Sequence, residues 1–210
     1  MATSDFPKSK INLKLATTIR DLTGRFGEID ADRANLLSAI AKVISVEKKW
    51  AMVVLNFICT HNSRRSQIAQ AWAIAAASHY ATKNIKAVSG GTEVTAFNSR
   101  AVRALADQGF ELNMNVKTVN PGYLLSVNNE EIIEMYSKTF QQATLESFIA
   151  IMTCDHADRN CPLVTGAIER FSLPFKDPGF SDGAPDEEAV YRRTADLIGC
   201  EMLYLFSLVR

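Results

Sequence analysis

Cys59 stands six residues before Arg65, after the apolar run Val53-Val54-Leu55-Asn56-Phe57-Ile58 and ahead of Ser66. A thiol and a guanidinium at this spacing can share one tetrahedral anion if the chain between them loops from a strand into a helix. Such a loop turns several backbone N–H groups inward, and the helix N-terminus adds its positive end. Arg65 would close on two anion oxygens as a planar fork. The same field favours thiolate over thiol. Cys59 is therefore read as a nucleophile, with Thr60, His61, Asn62, Ser63, Arg64, Arg65 and Ser66 as its anion-binding loop. Cys-x5-Arg alone recurs by chance, and a lone cysteine is more often a small buried hydrophobe. Three neighbours lift the pattern above that: the strand-like run, Ser66 as an N-cap, and an Ala-rich helix over 67–80 with Ile68, Trp72 and Ala75 on one stripe.

Two further groups could serve such a site. Cys154 and Cys161 lie seven apart after an apolar run, at the strand end where open α/β sheets place their ligands. Zinc wants four ligands at short spacing, and only His156 is near, with His61 and His79 elsewhere, so no metal is assigned. Thiol exchange fits better: Cys154 could attack a sulfur bonded to Cys59, and Cys161 could then resolve the bond to Cys154. That requires a mobile stretch between them, because bonded cysteines need Cα atoms within about 7 Å. Two ordinary buried thiols are the alternative. The second group is Phe175-Lys176-Asp177-Pro178-Gly179-Phe180. Proline holds the residue before it extended, which can aim Asp177 at the anion loop, where a carboxylic acid could protonate a departing oxygen. The same dipeptide also serves as a plain turn.

Strands and helices must alternate to bring these residues together. Helical spacing over 11–22 and 31–45, with Gly24 and Gly27 between and Asp30 as an N-cap, predicts an αα-hairpin. A strand follows at 52–58, then the helix from Ser66, a strand at 85–89, and a helix from Ser99 that Asn98 caps and Gly109 ends. Strands at 148–153 and 168–173 and a helix over 186–208 complete the series, the helix burying Tyr191, Ile198, Met202 and Leu205. The runs 123–127 and 131–136 around Asn128-Asn129 read as an inserted β-hairpin, with a helix over 130–141 as competitor. The fold class is α/β: a three-layer α/β/α with a four-stranded parallel sheet, an N-terminal helical extension at 1–50 and a catalytic domain at 51–210.

Composition narrows the partners. The 210 residues carry no net charge, so no global basic field points to nucleic acid or an anionic membrane surface. No stretch approaches the ~20 apolar residues of a membrane span, and residues 1–10 lack the apolar core of a signal peptide, so a cytoplasmic protein is expected. Four cysteines, Cys200 included, are too few for a disulfide scaffold.

Taken together, these residues resemble the low-molecular-weight protein tyrosine phosphatase superfamily and, within it, the thioredoxin-coupled arsenate reductases. The resemblance covers about residues 52–210, leaving the first helices and the 123–142 insertion outside. It implies Cys59 as nucleophile, Arg65 as oxyanion clamp, Ser66 as the hydroxyl supporting the thiolate, Asn62 as the residue whose unusual backbone shapes the cradle, and Asp177 as general acid. It also implies Cys154 and Cys161 as a redox pair, with Ala157, Asp158, Asn160 and Pro162 matching their surroundings. Three departures stand out. His61 replaces a common glycine, and a β-carbon would strain a backbone that needs glycine's freedom. Arg64 replaces a frequent cysteine; it and His61 are read as solvated rim residues or as added positive potential. Gln70 and Asn120 replace two acids that help hold potassium in some relatives. The implied activity is arsenate reduction through Cys59, Cys154 and Cys161, with no bound cofactor and a thioredoxin-like electron donor. A phosphatase working through a phosphocysteine is the alternative, and a non-catalytic anion-binding module with a damaged loop is the third reading.

Overall fold

The computed structural model describes residues 12–127, 132–161 and 163–210. In chain order the elements are α1 (Leu13–Thr23), α2 (Ala31–Glu47), β1 (Val53–Cys59), α3 (Arg65–His79), β2 (Ile85–Gly91), α4 (Ser99–Asp107), β3 (Glu111–Val116), β4 (Gly122–Ser126), β5 (Ile132–Met135), α5 (Phe140–Ala143), β6 (Phe148–Met152), α6 (Asp155–Asn160), β7 (Ala167–Ser172) and α7 (Glu187–Ser207). Short 3-10 turns occupy Phe26–Glu28 and Pro178–Ser181.

All seven residues of β1 are buried, as a continuous apolar strand must be when helices cover both faces of a parallel sheet. The sheet runs β2-β1-β6-β7, every pair parallel. Alternation sorts the strands between two cores. Val53, Leu55 and Phe57 of β1 with Ile149 and Ile151 of β6 face the larger helices, while Val54 and Ile58 with Ala150 and Met152 face Phe140 of α5 and Ala157 of α6.

The hairpin forms as the antiparallel pair β4-β5. Its turn, Asn128-Asn129, lies outside the described residues, as do Pro162 and the segment 1–10. The competing helix over 130–141 does not form; only the single turn of α5 appears there, closed by a capping box between Thr139 and Gln142. The hairpin is also part of something larger, because β3 joins it in the order β3-β4-β5. Glu111, Asn113 and Asn115 are poor strand formers, so β3 gave no sequence signal.

The expected αα-hairpin is present, with the Asn12 and Asp30 side chains accepting bonds from Leu15 N and Arg33 N at the two helix starts. Leu15, Ile19 and Leu22 of α1 and Leu37, Ile40 and Ile44 of α2 enter the same core as Trp72 of α3 and Ile198 and Met202 of α7. Gly199 lets α3 and α7 approach: a β-carbon there would sit 2.5 Å from Cε2 of the Trp72 ring. Among the described residues no helix is long and apolar enough to cross a membrane.

One buried ion pair fastens α2 to α7. Arg33 Nε donates to both oxygens of Glu201 at 2.9 Å, and the Arg33 guanidinium also donates to the Pro174 carbonyl and lies over the Phe175 ring. Burial pushes the Glu201 carboxyl up and Arg33 pulls it back. Arg33→Met would strand this acid in the core, at a cost of about 3 kcal/mol or more near pH 7. Its folded value would climb further, so the folded chain would hold a proton that the unfolded chain releases. The deficit should therefore be smallest below about pH 4.3 and grow as pH rises. Urea unfolding at pH 4 and pH 7 measures it; equal losses at both would refute the electrostatic account.

Candidate functional site

β1 delivers Cys59 to the edge of the sheet, and the chain then loops into α3. The loop's carbonyls are all taken by the scaffold. Thr60 O accepts from Glu93 N and Thr92 Oγ1, His61 O from Ser137 Oγ and Thr95 Oγ1, Asn62 O from Gln67 Nε2, Ser63 O from Asn98 N, and Arg64 O from Ile68 N. In a trans peptide the following N–H points the opposite way, so tethering the carbonyls outward turns the amides toward the loop's centre. Amides so arranged can hold an anion.

Asn62 makes the turn possible. It takes the left-handed conformation, φ 46°, which asparagine tolerates better than most residues. Its side chain is buried and fully engaged: Nδ2 donates to Ser66 Oγ and Ser89 Oγ, both at 2.9 Å, and Oδ1 accepts from Lys138 N at 3.0 Å. Because Ser66 Oγ already accepts from Asn62, its own hydrogen is free to point at Cys59 Sγ, 3.1 Å away. Ser89 Oγ passes the chain on to Gln70 Oε1 at 2.7 Å.

Three sequence-based expectations need correction here. Ser66 is not the N-cap; α3 starts at Arg65, with Arg64 in the cap position, and Ser66 sits in the first turn against the sulfur. His61 is not strained, since the left-handed residue is its neighbour Asn62, and its ring projects outward to within 3.5 Å of Glu93. Arg64 is not a solvated rim residue. Its Nε donates to Tyr191 Oη at 2.7 Å and its Nη2 to Asp182 Oδ2 at 3.0 Å, and its guanidinium packs on Gly179.

Asp177 lies at the start of the 3-10 turn, where Oδ1 accepts from Gly179 N and Oδ2 from Arg65 Nη2 at 2.7 Å. Arg65 Nη1 donates to the Phe175 carbonyl, so Arg65 and Asp177 occupy one corner of the loop. Beyond them, Tyr191 Oη donates to Asp182 Oδ1 at 2.7 Å. Desolvation and the Asp182 carboxylate push this phenol up to about 12. Desolvation works against ionised Asp182, but Tyr191 and Arg64 hold its carboxyl below the usual range. The acid-bearing segment is thus tied to the anion loop at both ends, through Arg65 and through Arg64. Sequence reading missed Asp182 and the part Tyr191 plays. Nothing in the local pattern marks them, since they lie 118 and 127 residues from Arg64.

Cys154 follows β6, which pairs directly with β1, so it emerges beside the loop with Sγ 3.6 Å from Thr60 Oγ1. Thr60 Oγ1 also meets His156 Nδ1 at 3.1 Å. Cys161 is less close by. The segment between the two cysteines, expected to be mobile, is the helix α6, capped by Cys154 itself as its Sγ accepts from Ala157 N. Seven residues along a helix rise about 10 Å, beyond the reach of a disulfide. Arg170 of β7 pins this helix: it donates to the Asp158 carboxylate at 2.6 Å, to the Asp158 carbonyl, and to the Cys161 carbonyl. The fourth thiol, Cys200, is buried against the Leu22 carbonyl, and desolvation pushes it up to about 11, an unreactive setting.

Gln70 and Asn120 are neutral amides already committed, Gln70 to Ser89 and Ala87, Asn120 to both backbone groups of Ser137.

No family model matches the chain. Curated relatives include the arsenate reductase of Halalkalibacterium halodurans, 30% identical over 148 residues, which span 70% of this chain and 89% of that protein. The arsenate reductase of Bacillus subtilis is 26% identical over 147 residues, covering 70% and 89%. Among solved structures, the low-molecular-weight protein tyrosine phosphatase from T. tengcongensis aligns with a TM-score of 0.52 at 19% identity, over 74% of this chain and 98% of that one. A YwlE mutant from Bacillus subtilis gives 0.50 at 15%, over 74% and 97%. The two structures show that the chain has the low-molecular-weight protein tyrosine phosphatase fold, and the sequence relatives show that it belongs to the arsenate reductase family, a family of enzymes.

Proposed function

We propose that this enzyme reduces arsenate to arsenite by a three-cysteine relay. Cys59 thiolate attacks arsenic held by the loop amides and Arg65, and an oxygen leaves as water with a proton from Asp177. Cys154 thiolate then attacks the Cys59 sulfur. The sulfur–arsenic bond breaks with its electron pair going to arsenic, so arsenite leaves and a Cys59–Cys154 disulfide remains. Cys161 displaces Cys59 from Cys154, and a thioredoxin-like dithiol reduces the Cys154–Cys161 bond. The observation that carries this reading is the buried Cys154 thiol beside Thr60 of the anion loop, where a plain phosphatase needs no second sulfur. Relatives that are arsenate reductases support it.

One observation favours a second reading. The intact α6 holds the two later cysteines apart, while Cys59, Ser66, Arg65 and Asp177 suffice for a phosphatase that forms and hydrolyses a phosphocysteine. The relay demands that α6 unwind after the first disulfide forms. A non-catalytic module loses its motive, since His61 leaves the loop unstrained.

Thioredoxin-linked NADPH consumption with arsenate, run beside aryl phosphate hydrolysis, separates the two enzymes. Cys161→Ser should keep aryl phosphate hydrolysis within about twofold yet stop arsenate turnover after one equivalent of arsenite. Mass spectrometry should then find Cys59–Cys154 in the variant and Cys154–Cys161 in the wild type. Full multiple turnover by the variant would sink the relay and leave the phosphatase in front.

A further inference from the structure

Away from the anion loop, a cavity of about 830 Å³ opens between α3, the edge strand β2 and the β4-β5 hairpin. That volume lies within the range of small-molecule sites. Ile74 and Ala77 of α3, Val88 of β2, and Leu125 and Ile133 of the hairpin form its apolar walls. Among the described residues, the charged side chains on it are three lysines, Lys83, Lys86 and Lys138, and one carboxylate, Glu134.

Lys138 is the unusual member. The residue is 8% exposed, and its ammonium, with three N–H donors to satisfy, has one hydrogen-bond acceptor among the described residues, the Tyr136 carbonyl at 3.1 Å. Its other close neighbour is the Tyr136 ring, with Nζ 4.2 Å from the centroid. Burial lowers this amine to about 8, with Glu134 opposing the shift. Glu134 does not pair with it directly; its Oε1 accepts from Asn115 Nδ2 at 3.1 Å. Lys86 differs, being matched by Glu146 outside the cavity. Among the described residues no carboxylate pairs with this desolvated cation and two of its donors are unfilled, and the chamber has room for the apolar body that an anionic ligand would carry.

We propose that this cavity binds a carboxylate with a long apolar tail, its head group on the Lys138 ammonium and its chain along Ile74, Ala77 and Ile133. Gln67 joins the site to the anion loop, since its Nε2 donates to the Tyr136 carbonyl that holds Lys138, at 2.9 Å, and to the Asn62 carbonyl at 3.1 Å. Lys138 N and Ser137 Oγ meanwhile bond Asn62 and His61 of the loop itself.

Calorimetric titration of the full chain with decanoate and with decanol tests this. Wild type should bind decanoate at least tenfold more tightly than decanol. Lys138→Met should erase that difference, leaving decanol within twofold of its wild-type affinity, whereas Ala77→Trp should fill the chamber and remove both ligands. Thermal unfolding verifies that each variant is folded; Lys138→Gln and Ile74→Trp serve if either is not. The proposal is overturned if wild type prefers neither ligand or binds no decanoate. It is likewise overturned if the lysine variants hold decanoate within twofold, or if the filled chamber still binds both.

Discussion

Cys59→Ser is expected to remove arsenate reduction and aryl phosphate hydrolysis together, by a factor on the order of 10⁴–10⁶. The oxygen would occupy the place of a sulfur that sits 3.1 Å from the Ser66 hydroxyl in a ring of inward-facing amides. In the proposed reaction sulfur is the nucleophile, and an alcohol oxygen in its place is a far weaker one at neutral pH. Because the substitution is nearly isosteric, the loop should persist, and equilibrium dialysis should still find arsenate or phosphate bound. Loss of turnover with binding retained identifies the nucleophile. Residual turnover within about tenfold of wild type, a barrier difference of only ~1.4 kcal/mol, would take Cys59 out of the chemistry.

Asp177→Asn should slow aryl phosphate cleavage by roughly 10²–10⁴. The amide can keep the bond to Gly179 N that fixes the side chain at the start of its turn. It cannot deliver a proton to a departing phenolate. The deficit should therefore shrink as the leaving group becomes more acidic, and a plot of rate against leaving-group pKa should be steeper for the variant. Parallel plots would mean that Asp177 acts by positioning Arg65, with which it shares a 2.7 Å ion pair.

What sequence alone could deliver follows from how local each feature is. The apolar run, Cys59, Arg65 and the Ala-rich helix are contiguous, so spacing was enough to read strand, loop and helix in order. Asp177 was readable because proline constrains its neighbour. Asp182 was not, since its importance comes from Arg64 and Tyr191, which only tertiary packing brings to it. α6 escaped notice for another reason: six residues, Asp-His-Ala-Asp-Arg-Asn, are too few to display a helical period. Its stability comes from outside, through Arg170. The glycine argument at His61 failed because the positive φ falls one residue later, where asparagine was already present.

The bracing of Pro174 and Phe175 by Arg33 has a consequence for how the enzyme is born. Arg33 and Glu201 are 168 residues apart, and the Leu22 carbonyl meets Cys200 across 178. α1 and α2 therefore dock on a helix made long after them. At ribosomal speeds the apolar stripes of α1 and α2 stay uncovered for roughly ten seconds or more. The loop from Cys59 to Ser66 waits less, because the bonds that tether its His61 carbonyl and its Asn62 side chain reach Ser137 and Lys138, 76 residues on. The nascent chain can thus hold a nucleophile loop before it has set its acid. Pulse-labelled hydrogen exchange during refolding should show amides of α3 protected ahead of those in α1 and in the Pro178–Ser181 turn, and simultaneous protection would contradict this order. A holding chaperone would act most usefully on the first two helices.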